Sequence, residues 1–237
     1  MNEFVKEATN GGIPELFSEG DVTSDTRLVA VNAMYLKANF FTEFKKENTK
    51  EEPFNNEDGS TKLVETMNGS KEGHFFETAK YSFAETFFKD PGFSFFIAVP
   101  KSAVLLAELR ERFTTSNESF SNASRIPKIY ISLPKFKTEA TYALKTVLEC
   151  YGIKEMFEAG KADLSGISDE PLCASAVVHK AIFDLNEGGV TASASTAIAV
   201  SQFRVNLANE ERHIKADRPF LYGVMFKSTP LFIGQYY

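Results

Sequence analysis

Residues 188–201 (GGVTASASTAIAVS) contain no charged side chain, although 24% of the chain is charged. At that frequency a window of this length escapes charge only about 2% of the time, so the segment must suit a place where charge is excluded. Val190, Ala192, Ala194, Thr196, Ile198 and Val200 fall on one side of an extended chain, and Thr191, Ser193, Ser195, Ala197 and Ala199 on the other. This is strand periodicity, with one apolar face and one face of small residues. Ala and Ser are nevertheless poor strand formers, so the pattern of a strand is joined to a weak intrinsic commitment to being one. Such a segment suits two states, an extended loop in one and a strand in a crowded sheet in the other, which it enters without burying an unpaired charge. The same composition also fits a flexible Ala/Ser/Thr linker, and the residues alone leave both readings open.

The rest of the chain punctuates many strands with a few helices. Residues 2–9 place Phe4, Val5 and Ala8 on one helical stripe that stops at Asn10-Gly11-Gly12. Residues 26–36 (TRLVAVNAMYL) predict a central strand buried on both faces, with Asn32 the polar residue inside it. Residues 40–54 read as irregular structure leading to an edge strand that holds Pro53. Strands are expected at Leu63-Val64, Phe75-Phe76 and 93–99, separated by the breakers Asn68-Gly69 and Asp90-Pro91-Gly92. Val104, Leu105, Leu109 and Phe113 mark a surface helix over 102–113, and a strand follows over 126–136. A helix broken near Gly152 is expected over 142–157, a strand over 177–185, and two strands with a turn at 227–230 over 220–237. With no regular β-α-β alternation, the fold class is α+β, and 237 residues with 43% hydrophobic content suit one domain, 1–237.

Composition narrows the function classes. A formal charge of -6 offers no basic excess for phosphates or anionic headgroups, so neither nucleic acid nor membrane is an expected partner. The chain has no apolar run of the roughly 18 residues that a spanning helix needs, and its opening, MNEFVKEATN, is polar. The expected setting is cytoplasmic for the chain as written, or extracellular if a preceding segment supplies a signal. Asn-x-Ser sequons at Asn68, Asn117 and Asn122 permit a secreted form. Cys150 and Cys173 are too few and too widely spaced for a disulfide framework or a zinc site, and read as semi-buried thiols. Twenty-three phenylalanines and no tryptophan predict a core whose large positions are filled by Phe. No phosphate-binding glycine loop, paired-histidine zinc motif or nucleophile elbow stands among these residues, so no catalytic group, metal or cofactor is expected.

Asn186-Glu187-Gly188-Gly189 followed by a run of small residues resembles the hinge and reactive-centre loop of the serpins. Further landmarks of that family recur in order. Residues 32–37 (NAMYLK) resemble its Asn-Ala-x-Tyr-Phe-Lys strand; 49–54 (TKEEPF), 133–136 (LPKF), 162–167 (ADLSGI), 178–181 (VHKA) and 217–220 (DRPF) through Gly234 match later ones. The resemblance implies a mixed-sheet serpin-like fold and an inhibitor of serine or cysteine peptidases that is not itself an enzyme. In the family a peptidase cleaves an exposed loop, here expected over about 187–210, and is trapped as an acyl-enzyme when the loop inserts into the main sheet.

Carried over residue by residue, Glu187, Gly188, Gly189, Val190, Thr191, Ala192, Ser193 and Ala194 correspond to the hinge, with Val190 where the family usually has a small hydroxyl residue. Asn32 and His179 resemble the polar pair at the shutter, where the sheet must part; a satisfied core histidine is the competing reading of His179. Family spacing places the bait residue at Phe203, followed by Arg204. Phe203 suits a chymotrypsin-like peptidase, the favoured partner, whereas Arg204 suits a trypsin-like one. Phe4 and Phe40 stand where the family commonly has tryptophan, and Ala38 where it has glycine. The chain begins within what resembles the helix lying across the main sheet, which predicts an unprotected sheet edge and exposed apolar surface. A non-inhibitory binding protein and an inactive partial product therefore remain alternatives.

Overall fold

The computed structural model describes residues 1–17, 22–23, 26–101, 104–115, 123–190 and 211–237. In chain order its elements begin with helix α1 (Asn2–Ala8) and strands β1 (Leu28–Tyr35), β2 (Ala38–Asn39), β3 (Thr49–Asn55), β4 (Thr61–Glu77), β5 (Tyr81–Phe87) and β6 (Phe93–Pro100). They continue with α2 (Leu106–Thr115), β7 (Ser124–Pro134), β8 (Phe136–Ala143), α3 (Lys145–Cys150), β9 (Ala174–Asn186) and β10 (Gly189–Val190). Strands β11 (Glu211–Lys215), β12 (Phe220–Phe226) and β13 (Thr229–Tyr236) complete the set. The chain divides into two compact units, one of residues 1–36 and 137–184 and one of residues 37–136 and 185–237.

In the first unit β9 is flanked by β1 and β8. The β1–β9 pairing is parallel and places Asn32 opposite His179. Val5 of α1 packs with Ile13, Leu16, Phe17 and Ile182 to close one apolar cluster. Among the described residues β1 has a strand partner on one edge only, and both Val31 and Asn32 are exposed. The expectation that β1 is buried on both faces is therefore corrected, while the expected open edge and exposed apolar surface are found. Phe4 is also exposed. Helix α3 is much shorter than expected, because Tyr142 still belongs to β8 and Gly152, at φ +90°, stops the chain from continuing as a helix. Cys150 at the end of α3 is exposed rather than semi-buried, whereas Cys173 is half-buried.

The second unit is an eight-stranded sheet in the order β11-β7-β4-β5-β6-β12-β13, with β3 pairing β4 as an edge. Its strands are antiparallel except for the parallel β11–β7 pair. Tyr81, Phe83, Phe96, Ala98, Leu221 and Met225 pack beneath Leu106 and Leu109 of α2, so one face of the sheet meets the apolar stripe of the helix. Phenylalanine fills the large positions as expected. Phe40 is fully buried and meets Phe88 at 5.3 Å, Phe44 at 5.6 Å and Phe95 at 5.9 Å between ring centroids.

The breaker at Asn68-Gly69 breaks nothing, since β4 runs through it as a 17-residue strand. Asn68 donates to Glu52 Oε1 at 2.8 Å and accepts from the Ser132 hydroxyl at 2.6 Å, so neighbouring strands satisfy the amide that would otherwise favour a turn. Further along, Gly73 lies so close to β5 that a Cβ would sit 1.9 Å from the Glu85 carbonyl oxygen. At Gly166, by contrast, a Cβ would meet nothing within 4 Å. We therefore expect Gly73→Ala to cost more than about 2 kcal/mol in urea unfolding and Gly166→Ala less than about 0.5 kcal/mol. Equal midpoints for the two variants would contradict the β4–β5 packing.

Candidate functional site

The chain reverses at the end of β9. Glu187 and Gly188 form the turn, and β10 returns antiparallel with Gly189 opposite Asn186 and Val190 opposite Leu185. The Asn186 side-chain oxygen accepts from Gly188 N at 3.0 Å, an Asx-type contact that favours the reversal. On its other edge β10 pairs with β2, Gly189 opposite Asn39 and Val190 opposite Ala38. Gly189 adopts φ +138°, and a Cβ there would lie 2.2 Å from the Ala38 carbonyl oxygen. Both conditions demand glycine at this position. Val190 follows with no exposed surface.

A segment following β2 clamps the turn through its backbone. Phe44 N donates to the Glu187 carbonyl and Phe40 N to the Gly188 carbonyl, each at 2.8 Å. The Glu187 carboxylate is itself nearly buried; it accepts from the Thr49 hydroxyl at 3.0 Å and faces Lys135 Nζ at 3.6 Å. Burial works against its charge. Its own backbone N–H, Thr49 and Lys135 outweigh that penalty and hold the carboxyl below its usual range.

Thr49 and Lys135 stand in the segments 49–54 and 133–136, read from sequence only as landmarks, and here they meet at one carboxylate. Their role as partners of Glu187 was missed. Only the shared family pattern of those segments could have signalled it, because a charge pair between residues so distant in sequence leaves no local periodicity.

In the first unit the ladder brings Asn32 and His179 together as direct cross-strand partners. Side chains opposite one another in a parallel pair share a face of the sheet. His179 is half-buried and stacks on Tyr142 with ring centroids 6.2 Å apart. Of the proposed hinge, Glu187, Gly188, Gly189 and Val190 are placed, whereas Thr191, Ala192, Ser193, Ala194, Phe203 and Arg204 lie outside the described residues. Asn117 and Asn122 lie outside them too. Asn68 carries its sequon in the middle of β4, with its amide engaged by Glu52 and Ser132.

The family model described as "Serpin (serine protease inhibitor)" matches residues 1–237. Among curated relatives, Iripin-2 of Ixodes ricinus is 35% identical over 99% of this chain and 59% of its own length. The leukocyte elastase inhibitor of Equus caballus is 32% identical over 100% of this chain and 65% of its own length. Among solved structures, Serpin48 of the insect Tenebrio molitor superposes with a TM-score of 0.86 at 30% identity, covering 99% of this chain and 62% of that one. This chain thus spans about three fifths of the length of such relatives. With the family model matched from end to end and the fold shared, the chain belongs to the serpin family.

Proposed function

We propose that this chain is the loop-bearing part of an inhibitor of serine peptidases, which is cleaved within residues 187–210 and traps its target by inserting the severed loop beside β9. The observation that carries the reading is the reversal at Glu187–Gly188, which starts the following residues on an antiparallel course along β9. Extending the pairing of Gly189 with Asn186 and Val190 with Leu185 sets Thr191 against Asp184, Ala192 against Phe183, Ala194 against Ala181 and Thr196 against His179. In that register Ala192, Ala194, Thr196, Ile198 and Val200 share the face of buried Val190, and the small Thr191, Ser193, Ser195, Ala197 and Ala199 take the other. No charge is carried inside.

A new strand on this course must displace β1 from β9, and Asn32 and His179 are the polar pair along that seam. The peptidase's serine attacks the Phe203 carbonyl, the Arg204 amine leaves with a proton, and an acyl-enzyme ester remains on Phe203. Insertion carries this ester away with its peptidase before water can cleave it. New backbone hydrogen bonds and burial supply the driving force. The description of the family and the name of the equine relative support a peptidase partner; Phe203 favours a chymotrypsin-like one.

Incubation with chymotrypsin is expected to give a covalent adduct that survives a denaturing gel. Phe203→Ala should abolish it, while Arg204→Ala should remove only a trypsin adduct. Cleaved chain with fully active peptidase would instead favour a non-inhibitory binding protein.

The clamp predicts an acid-sensitive hinge. Because the folded-state carboxyl of Glu187 is held below its usual value of 4.5, the stability it contributes is present above that pH and is lost as the pH falls through the lower folded value. The urea midpoint of the wild type should therefore drop more steeply than that of Glu187→Gln between about pH 5 and pH 3. Parallel curves would remove Glu187 from the clamp.

A further inference from the structure

Lys71 on β4 is only 2% exposed, an unusual position for an ammonium group. The ladder shifts register between Lys71 and Gly73, and an irregularity of this kind re-aims a side chain. Lys71 Nζ donates to the Thr42 carbonyl and lies 3.6 Å from the ring centroid of Phe44 and 4.8 Å from that of Phe40. Phe44 and Phe40 are the residues whose amides grip the Glu187 and Gly188 carbonyls. One buried lysine therefore underlies both backbone contacts to the turn.

We infer that Lys71 positions the hinge in a proton-dependent way: it braces segment 40–44 against Glu187 and Gly188, and that segment leaves the hinge as Lys71 passes into water with its charge. The inference rests on reading residues 186–190 as a hinge. The ring faces and the Thr42 carbonyl favour the ammonium, whereas burial opposes it. Burial prevails, and even with Glu43 favouring the charge, Lys71 is lowered from 10.5 to about 7. Among the described residues, four carboxylates on the surrounding elements have partners of their own. Glu43 pairs with Lys89, Glu187 with Lys135, Glu72 on β4 with Arg125 on β7, and Glu85 on β5 with His74.

The sign follows from the two environments. Above pH 7 the closed clamp holds a neutral lysine, while the opened clamp, with Lys71 in water, keeps its proton up to about 10.5. Opening thus takes up a proton across that window, so raising the pH tightens the clamp and lowering it toward 7 loosens it. Below 7 both states are charged and the dependence disappears.

Hydrogen exchange at the Phe40 and Phe44 amides, corrected for the intrinsic exchange rate, reads this opening directly. In the wild-type chain the opening constant should fall about tenfold between about pH 8 and pH 9, and stay level between about pH 5 and pH 6. In Lys71→Met it should be level throughout. A level wild-type profile, or the same slope in Lys71→Met, would overturn the inference. Should Lys71→Met fail to fold, the wild-type Lys71 Cε resonance carries the test: a midpoint near 7 supports the inference and one near 10.5 overturns it. These readouts do not depend on adduct formation, so a failed trap and a failed proton-dependent clamp are told apart.

Discussion

The direction in which the chain leaves β9 depends on two backbone hydrogen bonds, from Phe44 to the Glu187 carbonyl and from Phe40 to the Gly188 carbonyl. A buried carbonyl without a donor is costly, so the turn is held where segment 40–44 can supply both. Gly189 then fits where a side chain would strike the Ala38 carbonyl, and Val190 is buried. Freedom is confined on one side of the turn, and everything proposed for the loop begins from that confinement.

The sheet of the second unit makes the clamp possible. Phe40 is anchored among Phe44 in the segment after β2, Phe88 just past the end of β5 and Phe95 on β6. Aromatic packing of this kind fixes the backbone amides as well as the rings. Thr49 at the start of β3 and Lys135 between β7 and β8 deliver the side-chain partners of Glu187. Lys135 is partly exposed, so its Coulombic share is screened, and the hydroxyl of Thr49 and the backbone carry more of the holding.

Much of this was legible in the sequence. Strands buried on both faces, such as β6 and β12, announce themselves by apolar runs bounded by turns, and the Pro91-Gly92 turn is found as read, with Gly92 at φ +86°. Gly188-Gly189 is a local signal too, whereas the hinge reading of residues 186–190 came from the resemblance to a family and not from the residues alone. Failures arose where tertiary partners outvoted local preference. Asn68-Gly69 is a turn signal that Glu52 and Ser132 convert into strand. β1 has the composition of a doubly buried strand but has one strand partner among the described residues. Neither the meeting of Thr49 and Lys135 at Glu187 nor the burial of Lys71 has a sequence periodicity, since each depends on where distant strands are laid.

Insertion of the loop requires that residues after Val190 continue the course set by β10 along β9. Backbone amide exchange of residues 191–199, followed by mass spectrometry before and after cleavage within 187–210, tests it most directly. Strong protection appearing across 191–199 only after cleavage is the predicted result. Exchange that stays at the rate of an unstructured peptide in the cleaved chain would contradict it.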